Sequence, residues 1–191
     1  MKRALDFLAG LIGIILLSPV MIIVSLIILI TDGRPVLFKQ QRVGKGNKLF
    51  TVYKYRTMRN GTGDIATEEL KDADEKITKV GRFLRVYSID ELPQLFNILN
   101  GTMSLVGPRP LIPAEENIRK LRDEYNVYSV TPGITGLAQI NGRDNLSIEE
   151  KALLDKEYIE NQSLMLDIKI ILKTFKKVIH HDDVREGSDT D

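Results

Sequence analysis

Hydrophobic positions are spread unevenly along this chain. From Phe7 to Ile30 runs an apolar stretch of 24 residues without a charge, long enough for a membrane helix. A cleaved signal peptide fits it less well, because no small-residue cleavage motif follows. Its centre is Leu17-Ser18-Pro19. Proline removes an intrahelical hydrogen bond and crowds the preceding turn, which predicts a kink. Each arm then has about 11 or 12 residues, roughly 17 Å at the helical rise. One arm falls short of a ~30 Å hydrocarbon core, whereas two arms can enter and return. Ser18 is placed to hydrogen-bond a carbonyl freed at the kink. Both flanks are basic: Lys2 and Arg3 precede the run, and Arg34, Lys39, Arg42, Lys45 and Lys48 follow it. A re-entrant helix puts both on the cytoplasmic side, as the positive-inside rule prefers. A tilted spanning helix with a tolerated proline is an equal alternative on these residues.

Beyond the run the pattern shortens. Residues 36–41 and 49–55 read as strands around a turn at 44–47, a small hairpin. Residues 59–75 are polar and glycine-containing and predict a loop, with a short helix at 68–74. Residues 79–86 and 92–99 read as helices, the second stopped by Asn100-Gly101. Residues 102–106 form a short apolar segment. Gly107-Pro108-Arg109-Pro110 and residues 131–136 read as rigid loops. Residues 114–125 pattern as a surface helix, and Ser147-Ile148-Glu149-Glu150 opens a helix to 161 with a capping box. Residues 164–180 are amphipathic, with apolar residues that include Ile168, Ile171, Leu172, Phe175, Val178 and Ile179, and with Lys169, Lys173, Lys176 and Lys177 as a basic edge. That suits a membrane-surface helix or equally a core-packed one.

Composition narrows the chemistry. The chain has no cysteine, and its two histidines, His180 and His181, lie near the C-terminus. Thiolate chemistry is excluded and a histidine base is disfavoured. The net charge of +1 hides an acidic tail: residues 180–191 sum to −4, leaving +5 on the rest. A +5 body suits phosphates or acidic headgroups as well as an ordinary solvated surface. Nucleic-acid binding is disfavoured by the near-zero net charge and the lack of a binding motif.

The sharpest segment is Arg82 to Leu95, where two arginines precede the adjacent carboxylates Asp90 and Glu91. Pro93 is tolerated only in a first turn, so a helix is expected to start near Ile89 or Asp90. Capping explains such acids without any chemistry, and Ser88 to Glu91 spells a capping box. Phosphoryl chemistry lacking histidine and cysteine can instead use a carboxylate nucleophile and a carboxylate-held Mg²⁺. Arg85 can fork onto phosphate oxygens, and two prolines fix the backbone around Arg109. Lys54 and Arg56 share one strand face. Gln139, Asn141 and Arg143 follow two glycine turns in a manner that suits nucleotide recognition.

The ordered set resembles the small monotopic phosphoglycosyl transferases of bacteria, which start glycan assembly on undecaprenyl phosphate. It comprises Lys2-Arg3, Ser18-Pro19, Tyr53-Lys54-Tyr55-Arg56-Thr57-Met58, Asp90-Glu91-Leu92-Pro93-Gln94-Leu95, Gly107-Pro108-Arg109-Pro110 and Pro132-Gly133-Ile134-Thr135-Gly136-Leu137-Ala138-Gln139. The resemblance implies an α+β, helix-rich fold with an N-terminal re-entrant membrane helix kinked at Ser18-Pro19, a small β-hairpin and amphipathic surface helices. It implies an anchor at 1–31 and a catalytic domain on the cytoplasmic face of the inner membrane at 32–180; the acidic tail at 181–191 has no clear counterpart and reads by composition as disordered. Asp90 matches the nucleophile and Glu91 the Mg²⁺ partner. Arg85, Arg109, Lys54 and Arg143 are the expected phosphate-binding residues, with Lys2 and Arg3 on lipid headgroups. The implied reaction passes a phospho-sugar from a UDP-sugar through an aspartyl intermediate to undecaprenyl phosphate, releases UMP and feeds downstream glycosyltransferases. Rival readings are a non-catalytic module that binds anionic lipid and a polyprenyl diphosphate phosphatase.

Overall fold

A computed structural model describes residues 1–59, 61, 73–142 and 145–180. The chain opens with one long helix, α1 (Lys2–Thr31). A hairpin follows, β1 (Leu37–Val43) and β2 (Leu49–Tyr55), paired antiparallel across a 3₁₀ turn. Then come α2 (Ala73–Lys76), α3 (Lys79–Val86), α4 (Gln94–Asn100) and β3 (Ser104–Val106). The C-terminal half holds α5 (Glu116–Glu124), β4 (Gly133–Thr135), α6 (Leu137–Ile140), α7 (Ile148–Glu160) and α8 (Leu164–His180). The architecture is the expected helix-rich α+β.

Local chemistry explains most boundaries. Gly101 ends α4 in the left-handed region, with φ of 86°, which glycine adopts without a steric penalty. Ser147 caps α7 in the predicted capping box, with both reciprocal hydrogen bonds present. Two expectations need correction. Residues 102–106 and 131–136 contain the strands β3 and β4, which pair in parallel. The helix after Asp90 begins later than expected: residues 89–91 form a 3₁₀ turn, and Pro93 is the N-cap of α4. The helix expected at 68–74 falls largely outside the described residues, as does the tail at 181–191.

The helix α1 runs unbroken through Pro19. Proline's missing N–H leaves the Ile15 carbonyl without its usual donor, and Ser18 Oγ donates to that oxygen at 2.9 Å, the compensation foreseen from sequence. One stripe of α1 meets the rest of the protein along its length, at spacings of three and four that match a helical face. Asp6 is buried and accepts from Ser104 Oγ at 2.8 Å and Leu105 N at 3.1 Å. Gly10 and Gly13 let α4 approach; a Cβ on Gly10 would lie 3.1 Å from Ile98. Ile14 and Leu17 pack on Val52, Leu95 and Ile98, while Met21, Val24 and Ile28 join Tyr55 and Leu84. Arg56 Nη2 donates to the Asp32 and Gly33 carbonyls at the far end. The opposite face of α1, including Leu8, Ile12, Leu16, Ile23 and Ile30, is exposed apolar surface.

The N-terminal end of α1 is tied down by ions. Lys2 pairs with Asp167 of α8, and Arg3 donates to the Ile98 and Leu99 carbonyls at the end of α4, where cations complement the helix dipole. Asp167 also accepts from Tyr158 Oη at 2.8 Å, whose oxygen is in turn 3.1 Å from the Val106 carbonyl. Burial pushes the Tyr158 hydroxyl above its ordinary range, so it stays protonated and donates. On α8, Ile170 is fully buried, whereas Ile168, Ile171, Leu172 and Phe175 are exposed. Four residues of the apolar set read from sequence therefore face away from the core, while Val178 is partly buried.

Candidate active site

The carboxylate pair sits on the 3₁₀ turn between α3 and α4. Ser88 enters it with φ of 53° and its side chain caps nothing; its N–H is bound to the Arg85 carbonyl. The capping box suggested by Ser88 to Glu91 is thus not formed. Glu91 instead meets Lys54 of β2, Nζ to Oε1 2.7 Å, with both side chains mostly buried. Arg85, at the end of α3, donates from Nε to Thr57 Oγ1 at 2.9 Å, which fixes the guanidinium.

Arg109 is delivered by two interlocked loops. Gly107 N donates to the Thr135 carbonyl at 2.9 Å and Gly133 N to that of Pro108 at 3.0 Å. A Cβ on Gly107, Gly133 or Gly136 would collide with backbone of the opposite loop, so glycine is required for this approach. Two further arginines hold the carbonyls beside the Arg109 side chain. Arg122 Nη1 donates to the Arg109 carbonyl at 2.7 Å, and Arg42 Nη1 to that of Pro110 at 3.1 Å. Arg122 is oriented by Asp155 of α7, Nε to Oδ2 2.8 Å, both side chains nearly inaccessible. Burial pushes the Asp155 carboxyl up, and the Arg122 guanidinium opposes that shift.

These groups surround a cavity of about 300 Å³ between α1, α4, α8 and the two loops. Arg85, Glu91 and Arg109 line it, against apolar walls that include Leu17 of α1 and Val178 of α8. A smaller pocket adjoins it; Lys54 lines that one, and Glu91 and Arg109 line both. Asp90, one residue before Glu91, is half-buried and lines neither. The structure therefore brings Lys54, Arg85, Glu91 and Arg109 together. Lys2 and Arg3, expected at lipid headgroups, have the protein partners described above. Arg143 lies outside the described residues. Sequence reasoning missed Thr174 and Lys177 as cavity residues; their spacing from Val178 on one helix face was the available signal. Thr174 Oγ1 lies 2.6 Å from Thr135 Oγ1, which joins α8 to the glycine loops.

Among the described residues, no three Asp, Glu or His side chains cluster as a protein-only metal cage. Mg²⁺ usually takes one or two carboxylates and completes its shell with water and substrate phosphates. Glu91, which lines both pockets, can supply one such carboxylate.

The fold thus sets a cavity lined by Arg85, Glu91 and Arg109 beside one long apolar helix. The chain belongs to the bacterial sugar transferase family, whose family model matches residues 1–181. It is 43% identical over 191 residues to the undecaprenyl-phosphate glucose phosphotransferase of Komagataeibacter xylinus, covering 93% of this chain and 36% of that protein. It is 40% identical over 195 residues to the uncharacterized sugar transferase EpsL of Bacillus subtilis (strain 168), covering 97% and 91%. It is 40% identical over 184 residues to the UDP-glucose:undecaprenyl-phosphate glucose-1-phosphate transferase of Escherichia coli (strain K12), covering 93% and 40%. The chain thus spans well under half the length of the two relatives with a named reaction and nearly all of the third.

Proposed function

We propose that this protein transfers a phospho-sugar from a UDP-sugar to undecaprenyl phosphate at the cytoplasmic face of a bacterial inner membrane, yielding a polyprenyl diphosphate sugar and UMP. The observation that carries the reading is the convergence of Arg85, Glu91 and Arg109 on one cavity whose wall includes the apolar helix α1, with Lys54 paired to Glu91 from the adjoining pocket. The named reactions of the relatives supply the substrate class.

Asp90 is the nucleophile. Its carboxylate oxygen attacks the phosphorus that carries the sugar, the bond to the UMP oxygen breaks, and UMP leaves. An oxygen of undecaprenyl phosphate then attacks the same phosphorus and the Asp90 ester is released as carboxylate. This is covalent catalysis in two steps. Glu91, whose carboxylate is paired with Lys54, organises charge rather than attacking. Arg85 and Arg109 hold phosphate oxygens, the latter on a backbone clamped by Arg42 and Arg122. Glu91 would hold Mg²⁺, which offsets the diphosphate charge when bound.

We further propose that α1 enters the bilayer and returns. Contacts at both ends and the middle of α1 with one domain support this, because a perpendicular crossing would carry one end about 30 Å away from that domain. Exposed apolar surface on the opposite face of α1 and on α8 supports contact with lipid.

The test is radiolabelled UDP-sugar supplied with and without undecaprenyl phosphate to protein in detergent or nanodiscs. Label moving into the lipid fraction only with acceptor is expected. Release of free sugar phosphate alone would support a phosphatase, and no consumption of donor would support a non-catalytic lipid-binding module.

A further inference from the structure

One of the cavity groups that the transfer steps above do not use stands apart. Both amide atoms of Gln139, Oε1 and Nε2, are buried without a hydrogen-bond partner, and Gln139 lines the cavity. Among the described residues, no other side chain lining this cavity has a buried polar atom in that state. A buried amide with neither bond made is less stable than an apolar side chain of the same shape. Its place is also enforced. Gly136 precedes it on the loop locked against Gly107, and a Cβ at Gly136 would lie 2.8 Å from Gln139 Oε1 besides striking the Gly107 carbonyl. The interlocked loops therefore carry Arg109, and α6, which starts directly after Gly136, carries Gln139 into the same cavity.

An amide is neutral and offers a donor beside an acceptor. Arg109 supplies the charge for an anion, while Gln139 supplies a paired, uncharged edge. We infer that Gln139 reads the donor substrate: its amide pairs with a neutral group that presents a hydrogen-bond donor next to an acceptor, close to the phosphate held by Arg109. This deepens the nucleotide-sugar reading and rests on it. Two parts of a UDP-sugar have that chemistry, the imide edge of uracil and neighbouring hydroxyls of the sugar. Gln139 is a binding and specificity residue in this account, with no proton transferred at its amide.

The test uses the full chain in nanodiscs with Asp90→Asn to prevent turnover, alone and combined with Gln139→Met, which keeps length and removes both polar atoms. Gln139→Leu serves as a second apolar variant. Calorimetric titration with UDP, with UDP-glucose and UDP-N-acetylgalactosamine, and with glucose 1-phosphate separates base from sugar. The expected result is about a tenfold loss of UDP-sugar affinity, the size of one or two hydrogen bonds, with a ligand-free melting temperature equal to or above that of the parent. Loss for UDP as well assigns the contact to the base, and loss for sugar-bearing ligands alone assigns it to the sugar. Parent-like affinity for every ligand in both variants overturns the inference, as does a lowered melting temperature in both, which would make Gln139 structural. If the parent binds none of these ligands, the nucleotide-sugar reading itself fails and takes this inference with it.

Discussion

Two adjacent carboxylates in a chain are ambiguous because helix starts attract acids for reasons unrelated to catalysis. At Glu91 the structure shows an ion pair and no capping box. Its carboxylate goes to Lys54, 37 positions earlier in the chain, while Ser88 turns left-handed and caps nothing. That pairing was not legible locally; Lys54 was readable as a cation on a strand face and, through the resemblance, as a phosphate-binding residue, but not as the partner of Glu91. We predict that Lys54→Met lowers kcat on the order of 100-fold, the scale of removing a preorganised electrostatic contact, and that Lys54→Arg retains more. Initial rates of lipid labelling check this, and parent-like kcat in Lys54→Met would refute the role. Glu91→Gln is expected to impair turnover severely and to raise the Mg²⁺ concentration needed for half-maximal rate. An unchanged Mg²⁺ requirement in Glu91→Gln would remove Glu91 from the metal site.

Among the elements, those with strong local signals were readable. The hairpin, α3, α5, α7 and α8 follow from alternation, periodicity and the Ser147 capping box. The parallel pair β3 and β4 was not, because each strand has three residues and their partnership is set by glycine contacts across the interlocked loops. Strands that short have no periodicity to read. Gly136→Ala tests the loop pair. A methyl group there must displace the Gly107 carbonyl, and the expected destabilisation is about 4 kcal/mol or more, seen as a lower melting temperature or loss of folded protein. Tyr158→Phe tests the tie between β3 and α8. It leaves the buried Asp167 and the Val106 carbonyl each short of one hydrogen-bond contact, at a cost of about 1–3 kcal/mol in denaturant unfolding.

For the whole molecule, the fold class and the order of its parts were legible because the apolar run dominates the chain. The fate of Lys2 and Arg3 was not. Basic residues before a membrane helix read as headgroup contacts, yet here they close α1 onto α8 and α4, partners about a hundred or more positions away. That closure bears on topology. With both ends of α1 on one domain, cysteines introduced at Met1 and Gly33 are both expected to react with a membrane-impermeant thiol reagent in inside-out vesicles. Neither should react in right-side-out vesicles; labelling of Met1→Cys from outside would refute re-entry.

The central claim concerns one bond, between the Asp90 carboxylate and phosphorus. Intact-protein mass spectrometry after mixing the full chain with UDP-sugar and Mg²⁺, without lipid acceptor, tests it most directly. The account predicts a mass increase of one phospho-sugar that maps to Asp90, disappears on adding undecaprenyl phosphate and is absent from Asp90→Asn. Acceptor-dependent lipid labelling by a protein that never gains this mass, or by Asp90→Asn, would contradict it.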